Sequence, residues 1–164
     1  MVYAALAKET GRFLCIVTPG EAEATRFAGD LNALGIPTAV FPARDYVLRP
    51  IEGTAREYEY RRLSVLGDIV GGRLQAVCVP DEGLTQYTTP RAEFCNNTRT
   101  LHPGDTVPRT ELTALLYNAG YARRAQVDGP GQFSIRGDIV DLYAPDMKLP
   151  VRMEFWGDEI DTMH

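Results

Sequence analysis

The chain has 164 residues, a net charge of −5, and 45% apolar and 24% charged residues, proportions that are ordinary for a soluble globular protein. The acidic balance argues against a general nucleic-acid-binding surface but does not exclude a local basic face. Fifteen of the 17 basic residues are arginines, whose planar guanidinium groups suit the directional recognition of carboxylates.

The first half of the sequence alternates predicted helices and strands. An opening helix ends at Gly11 and has no visible start, which predicts a piece of a longer protein. A capping box is predicted to begin the next helix, with Thr18 as the N-cap and Glu21 reaching back to it. A further capped helix is predicted to begin at Thr54. Apolar runs predict three strands, at 12–19, 37–43 and 74–80; the first is expected to be buried on both faces and the third to be buried.

The order of these elements predicts the fold class. Strands separated by helices indicate a parallel sheet with crossover helices, as in nucleotide-binding domains. From about residue 88 the strand-like segments become shorter and alternate in polarity, with one helix at about 109–119. Three such segments occur, at 132–136, 138–144 and 151–157. The sequence therefore predicts an α/β domain over 1–87 and a small, mostly antiparallel α+β domain over 88–164.

No catalytic motif is found in the sequence. A phosphate loop of the form GxxxxGK[ST] does not occur, and Glu21 would oppose phosphate binding at the start of its helix. Asp81 and Glu82 follow an apolar strand as in a Walker B motif. Without a phosphate loop they are better explained as a loop at a helix start. Because neither Ser64 nor Ser134 lies near a histidine, we expect a protein that is not an enzyme.

The cysteines and histidines show no metal-binding spacing, since neither CxxC nor HxxxH occurs. Cys15 and Cys78 lie within apolar runs and are predicted to be buried, reduced thiols, whereas Cys95 stands alone. The sequence shows no signal peptide and no apolar run long enough to span a membrane. We therefore expect a cytoplasmic protein without a metal or a cofactor.

A polar face is predicted along the last strands. Because strand side chains alternate between two faces, Arg152, Glu154 and Trp156 point away from the core that their neighbours form. The same alternation leaves Arg136 outside in the strand at 132–136. Two interpretations stay open at this point. One is a solvated sheet face of little energetic importance; the other is a partner-binding face, which a tryptophan beside arginines favours.

Two motifs carry a family resemblance: "GPGQFSIRGDIVDLYAP" at 129–145 and "PVRMEFWGDEIDTM" at 150–163. They resemble the bacterial transcription-repair coupling factors (Mfd) and their relative, the excinuclease protein UvrB. The resemblance extends over essentially the whole chain and implies an N-terminal fragment of such a factor. It implies that 1–87 form most of domain 1A, a helicase-like fold without ATPase function. It also implies that 88–164 form domain 2, which docks onto the repair protein UvrA.

The resemblance further implies the residues of the docking site. At matching positions, Arg136, Arg152 and Trp156 would contact UvrA. Arg123 matches a further arginine that UvrB uses. Glu154 lies between two of these contact residues on the same strand face.

Partners of the parent protein follow from the same resemblance. Domains beyond residue 164 would bind RNA polymerase and double-stranded DNA and would translocate along DNA at the expense of ATP. The fragment itself would recruit UvrA to stalled polymerase without catalysis. A UvrB-type damage-recognition helicase is one alternative, but the segment after Phe41 passes directly into a helix and leaves no room for the tyrosine-rich hairpin of UvrB. A DNA-binding module is the other alternative.

Overall fold

The computed structural model describes residues 2–44 and 54–164, without the side chains of 54–56. The chain divides into two compact units, Met1–Thr89 and Pro90–His164. Each unit contains its own β-sheet together with helices, so the chain is mixed α/β, as the sequence predicts.

A three-stranded parallel sheet lies at the centre of the first unit, with the strand order β1-β3-β2. The elements follow the chain as α1 (Val2–Thr10), β1 (Leu14–Thr18), α2 (Glu21–Ala33), β2 (Thr38–Val40), α3 (Thr54–Val70), β3 (Ala76–Pro80) and α4 (Asp81–Leu84). Because each strand is joined to the next through a helix, the strands return in the same direction. The predicted parallel sheet is confirmed.

The two faces of this sheet contact different helices. On one face, α1 and α2 pack small and branched side chains against the strands. The buried residues of this cluster are Ala4, Ala7, Ile16, Ala24, Ala28, Leu31, Ile36, Ala76 and Cys78. On the other face, Val65 of α3 packs with Val77, Val79 and Phe41. All five residues of the central strand β3 are consequently buried, as predicted.

The first strand does not share this burial. β1 lies at the edge of the sheet, where Cys15 is exposed and Val17 is 51% exposed. Cys15 and Val17 pair with Val77 and Val79 of β3, which pack against α3. Among the described residues, however, no side chain of β1 joins the apolar cluster that Val77 and Val79 form with α3. The prediction of a β1 strand buried on both faces is therefore wrong. Cys15 is exposed for the same reason, whereas it was expected to be buried.

Cys78 is buried, as predicted. It lies in the central strand β3 with no exposed surface. Burial raises the pKa of its thiol to about 11, because the charged thiolate would lose its solvation there.

The capping box predicted for α2 is wrong. The helix begins at Glu21 with Gly20 as its N-cap, and no side chain caps it. Thr18 is the last residue of β1, two positions before the N-cap, and its hydroxyl instead donates to the carbonyl of Gly20 (2.9 Å). The helix predicted from Thr54 is present, but its predicted capping box falls largely on side chains outside the described residues.

A five-stranded mixed sheet forms the second unit, with the strands in chain order. The elements are α5 (Arg91–Asn96), α6 (Arg109–Asn118), β4 (Ala122–Arg123), β5 (Gln132–Arg136), β6 (Ile139–Tyr143), β7 (Val151–Trp156) and β8 (Glu159–Met163). Only the short β4 pairs in parallel with its neighbour β5, and the other pairs are antiparallel. The predicted mostly antiparallel sheet is confirmed.

One face of this sheet is packed against α6. Its buried residues are Leu112, Leu116, Phe133, Val140, Met153, Phe155 and Ile160. The ring of Tyr117 meets that of Phe133 edge to face, with 5.3 Å between the centroids. Because strand residues alternate, the side chains between these core positions point to the other face of the sheet.

Among residues 2–44 and 54–164, no helix is both long and apolar enough to cross a membrane. The same residues contain no group of three or more histidine, cysteine or carboxylate side chains that could hold a metal ion. All three cysteines are free thiols.

Candidate functional site

The strands β5, β6 and β7 bring most of the predicted site residues together. Their register aligns Asp141 of β6 with Arg152 of β7. Two residues earlier on β6, Ile139 pairs with both Arg136 of β5 and Glu154 of β7. Residues in such rows, and residues two apart in one strand, point to the same side of a sheet. Arg136, Arg152 and Glu154 therefore share the face that is turned away from the α6 core.

Trp156 ends β7 on the same face. The burial of this strand alternates sharply: Met153 and Phe155 are 0% and 5% exposed, whereas the indole residue is 84% exposed. The chain then turns back at Gly157, so that Trp156 pairs with Glu159 of β8. An exposed indole on the same sheet face as arginines is typical of the residues that anchor protein interfaces.

Asp141 joins the two arginines of this face. The Nε of Arg152 donates to Oδ1 of Asp141 (2.7 Å), and Nη2 of Arg152 donates to Oδ2 (3.1 Å). The Nη2 of Arg136 donates to the same Oδ2 (2.6 Å). These three residues are called the Asp141 cluster below.

The Asp141 cluster combines a sheltered carboxylate with accessible cations. The side chain of Asp141 is 13% exposed, and those of Arg136 and Arg152 are 56% and 43% exposed. Hydrogen bonding from Arg152 lowers the pKa of Asp141, and Arg136 lowers it further, while burial acts in the opposite direction. Asp141 in turn raises the pKa of Arg152. The carboxylate is therefore ionised at neutral pH and remains available to orient both guanidinium groups.

The sequence alone does not single out Asp141 or Arg109. The alternation of "IVDLY" places Asp141 on the polar face, but only the pairing of β6 with β7 shows that it lies level with Arg152. Arg109 begins α6, and its Nη1 donates to the carbonyl of Gly137 (2.9 Å) and to the carboxylate of Asp138. It thereby holds the β5–β6 turn that follows Arg136. No local sequence signal connects Arg109 with a turn 28 residues away.

Glu154 lies at the margin of the Asp141 cluster. Its carboxylate is 3.9 Å from Nε2 of His164, and both side chains are about half exposed. Its negative charge also contributes, after Asp141, to the raised pKa of Arg152. Its role as a contact residue stays a prediction.

Arg123 is not brought together with the other predicted site residues. It lies in the edge strand β4, where the parallel register aligns it with Phe133. Residues aligned in this way share a sheet face, and Phe133 belongs to the core beside α6. The side chain of Arg123 is exposed, but it leaves the sheet on the face opposite to Arg136 and Arg152. Its role as a contact residue stays a prediction.

The segment that carries this face matches a known protein family. Residues 100–164 match the family described as the UvrB interaction domain. The match includes the Asp141 cluster, Trp156 and Arg109, but none of the first unit.

Curated proteins named transcription-repair-coupling factor are similar to almost the whole chain. One from Bacillus subtilis is 27% identical over 161 residues, which are 97% of this chain and 14% of that protein. One from Mycobacterium tuberculosis is 34% identical over 171 residues, covering 99% of this chain and 14% of that protein. One from Staphylococcus aureus is 28% identical over 123 residues, covering 75% and 10%. The chain therefore spans only 10–14% of the length of these relatives.

Proposed function

Because this chain belongs to the family of bacterial transcription-repair coupling factors, we propose that its second unit is a docking module for the repair protein UvrA. The observation that carries the proposal is the polar face of β5, β6 and β7. There, two accessible guanidinium groups and an exposed indole occupy one side of the sheet. That face lies within the segment that matches the UvrB interaction domain.

The chemistry of the face favours an acidic partner. Moving Arg136 and Arg152 from water into an interface is unfavourable unless the partner supplies carboxylates to them. Charge-assisted hydrogen bonds to arginine and the burial of a tryptophan are common sources of binding energy at interfaces. We therefore expect UvrA to offer at least one carboxylate to the arginines and an apolar contact to Trp156.

The proposed function of the longer protein extends this docking. Recruitment of UvrA by the second unit would bring repair proteins to stalled RNA polymerase, in keeping with the name of the relatives. This recruitment would take place in the cytoplasm. Binding of polymerase and of double-stranded DNA would involve the remainder of those longer proteins. The first unit would act as a helicase-like domain without ATPase function, as the resemblance to the coupling factors implies. The fragment would thus act by binding rather than by catalysis.

The test is the affinity of the 164-residue chain for UvrA, measured by isothermal titration calorimetry. Arg136→Ala and Arg152→Ala should each weaken binding by about 30-fold or more if these residues are hot spots. Neither change should unfold the chain, because both side chains are substantially exposed.

Arg12→Ala is the matched control, because it removes the same charge from an exposed residue of the other unit. It should leave the affinity within about twofold of the unsubstituted chain, as expected of a residue outside the interface. Unchanged affinity in both Arg136→Ala and Arg152→Ala would remove the proposed docking face.

A further inference from the structure

We propose that Asp141 is a positioning residue that fixes Arg136 and Arg152 for docking, so that Arg152 bridges Asp141 and a carboxylate of the partner. The inference rests on the proposed function, because the partner is the UvrA surface inferred above. It adds a residue that does not itself need to touch UvrA, since its side chain is only 13% exposed.

The hydrogen bonds show which edge of each guanidinium group remains for a partner. Arg152 uses Nε and one hydrogen of Nη2 for Asp141, whereas Arg136 uses Nη2 alone. A guanidinium group carries five N–H donors, so Arg152 keeps both hydrogens of Nη1 and the second hydrogen of Nη2. Nη1 and Nη2 form a planar fork that matches the two oxygens of a carboxylate. Asp141 therefore occupies the side edge of Arg152 and leaves the end of the group for the partner.

The position of Asp141 in the sheet makes it suitable for this role. It lies on β6, the strand between the strands that carry Arg136 and Arg152. Its side chain is short, while each arginine has a long side chain with many rotamers. A carboxylate on the middle strand holds both flexible groups through one anchor. It also separates two like charges that would otherwise repel each other.

Two physical effects of Asp141 on docking have opposite signs. Its negative charge opposes the approach of a partner carboxylate, so charge alone predicts tighter binding when Asp141 is neutralised. Its hydrogen bonds restrict two arginine side chains before the partner arrives, which removes part of the ordering cost of binding. We expect the second effect to dominate because both guanidinium groups are held by the same carboxylate. The sign of the change in affinity therefore decides between the two effects.

The first experiment uses the free chain and does not depend on UvrA. In ¹⁵N-resolved NMR spectra, the Nε–H of Arg152 should give a distinct signal that exchanges slowly with water. Asp141→Asn should shift this signal and speed up its exchange, while Asp128→Asn, at an exposed position elsewhere in the unit, should not. A wild-type Arg152 signal that exchanges like that of free arginine would overturn the proposal, whether or not the Asp141 variant folds.

The second experiment measures UvrA binding by the same chains. Asp141→Asn should weaken binding by about tenfold or more, because two arginine side chains must then be ordered during docking. Asp128→Asn should have no comparable effect. Equal or tighter binding by Asp141→Asn would overturn the positioning role. Circular dichroism establishes that each variant retains its fold.

A double-mutant cycle shows whether Asp141 acts through Arg152. Once Arg152 is Ala, adding Asp141→Asn should weaken binding much less than it does in the wild-type chain. A purely structural effect of Asp141 would instead give additive losses and would contradict the proposal. Arg152→Lys should bind nearly as weakly as Arg152→Ala, because an ammonium group keeps the charge but lacks the planar fork.

Failure of the inference differs from failure of the proposed function. If the wild-type chain does not bind UvrA, the proposed function is wrong, and the assignment of a UvrA carboxylate to Arg152 is wrong with it. If the wild-type chain binds, Arg152→Ala does not, and Asp141→Asn binds as well as wild type, then only the positioning role is wrong.

Discussion

Arginine has several distinct roles in this chain, and each depends on its neighbours. Arg136 and Arg152 share the carboxylate of Asp141 on an open sheet face. Arg109 holds the β5–β6 turn through the carbonyl of Gly137. Arg62 lies over the ring of Phe41, with 4.1 Å between its guanidinium carbon and the ring centroid. The abundance of arginine therefore says little about function until the surroundings of each guanidinium group are known.

Trp156 gives a direct test at the residue scale, because it is the only tryptophan of the chain. Its indole is 84% exposed. The emission maximum of the free chain should therefore lie close to that of the urea-unfolded chain, with similar quenching by acrylamide. Replacement by 5-fluorotryptophan should give one ¹⁹F resonance that shifts when UvrA is added. A blue-shifted, poorly quenched emission in the free chain would show that the indole is buried.

The β5–β6 hairpin is the element that presents Arg136. Gly137 follows that arginine with a backbone φ of +60°, a conformation that residues other than glycine rarely adopt. Arg109 reaches from α6 to the same turn. The orientation of Arg136 therefore depends on a glycine beside it and on a helix that begins far earlier in the chain.

Gly137→Ala should destabilise the chain by about 1–2 kcal/mol, because the left-handed conformation places Cβ too close to the backbone. The cause is local conformational strain rather than crowding, since a Cβ at this position would meet no atom within 4 Å apart from those of residue 137 and its two chain neighbours. Gly29→Ala is a control of opposite sign. It lies inside α2 with equally open space around it, and alanine should stabilise that helix by about 0.5–1 kcal/mol. Urea unfolding curves measure both; stabilisation by Gly137→Ala would contradict the prediction.

At the scale of the whole molecule, charge separates the proposed docking function from DNA binding. The net charge is −5, and acidic residues outnumber basic ones in each of the two units. Part of the positive charge on the polar face is neutralised by Asp141. Nonspecific DNA binding depends on many lysines and arginines that replace counterions at phosphates, and two arginines beside a carboxylate provide few such contacts.

We therefore expect the 164-residue chain to bind duplex DNA with a Kd above about 100 µM at about 0.15 M salt. Such binding is weaker than the usual nonspecific affinity of DNA-binding proteins. Fluorescence anisotropy of a labelled duplex measures this, with a basic DNA-binding protein as the positive control. Micromolar binding that weakens steeply with salt would instead support the DNA-binding alternative for the arginine face.

The sequence by itself determined most of the helices and strands and the alternation within the last strands, but not α5 or β4. Local patterns suffice for these features, because helix and strand periodicities act over a few residues. Its motifs also indicated the family, and Arg136, Arg152 and Trp156 could be placed on one face from alternation alone. Burial of β1 was predicted wrongly, because the apolar run does not show that the strand lies at a sheet edge.

Only the tertiary structure decided how the site is assembled. Strand register placed Asp141 level with Arg152 and separated Arg123 from both. Helix packing brought Arg109 to the turn after Arg136. These contacts join residues that are distant in the chain, and the register of one strand against another depends on the complete sheet and its core. The residues of the docking face could thus be read locally, whereas the carboxylate that orients them required the folded sheet.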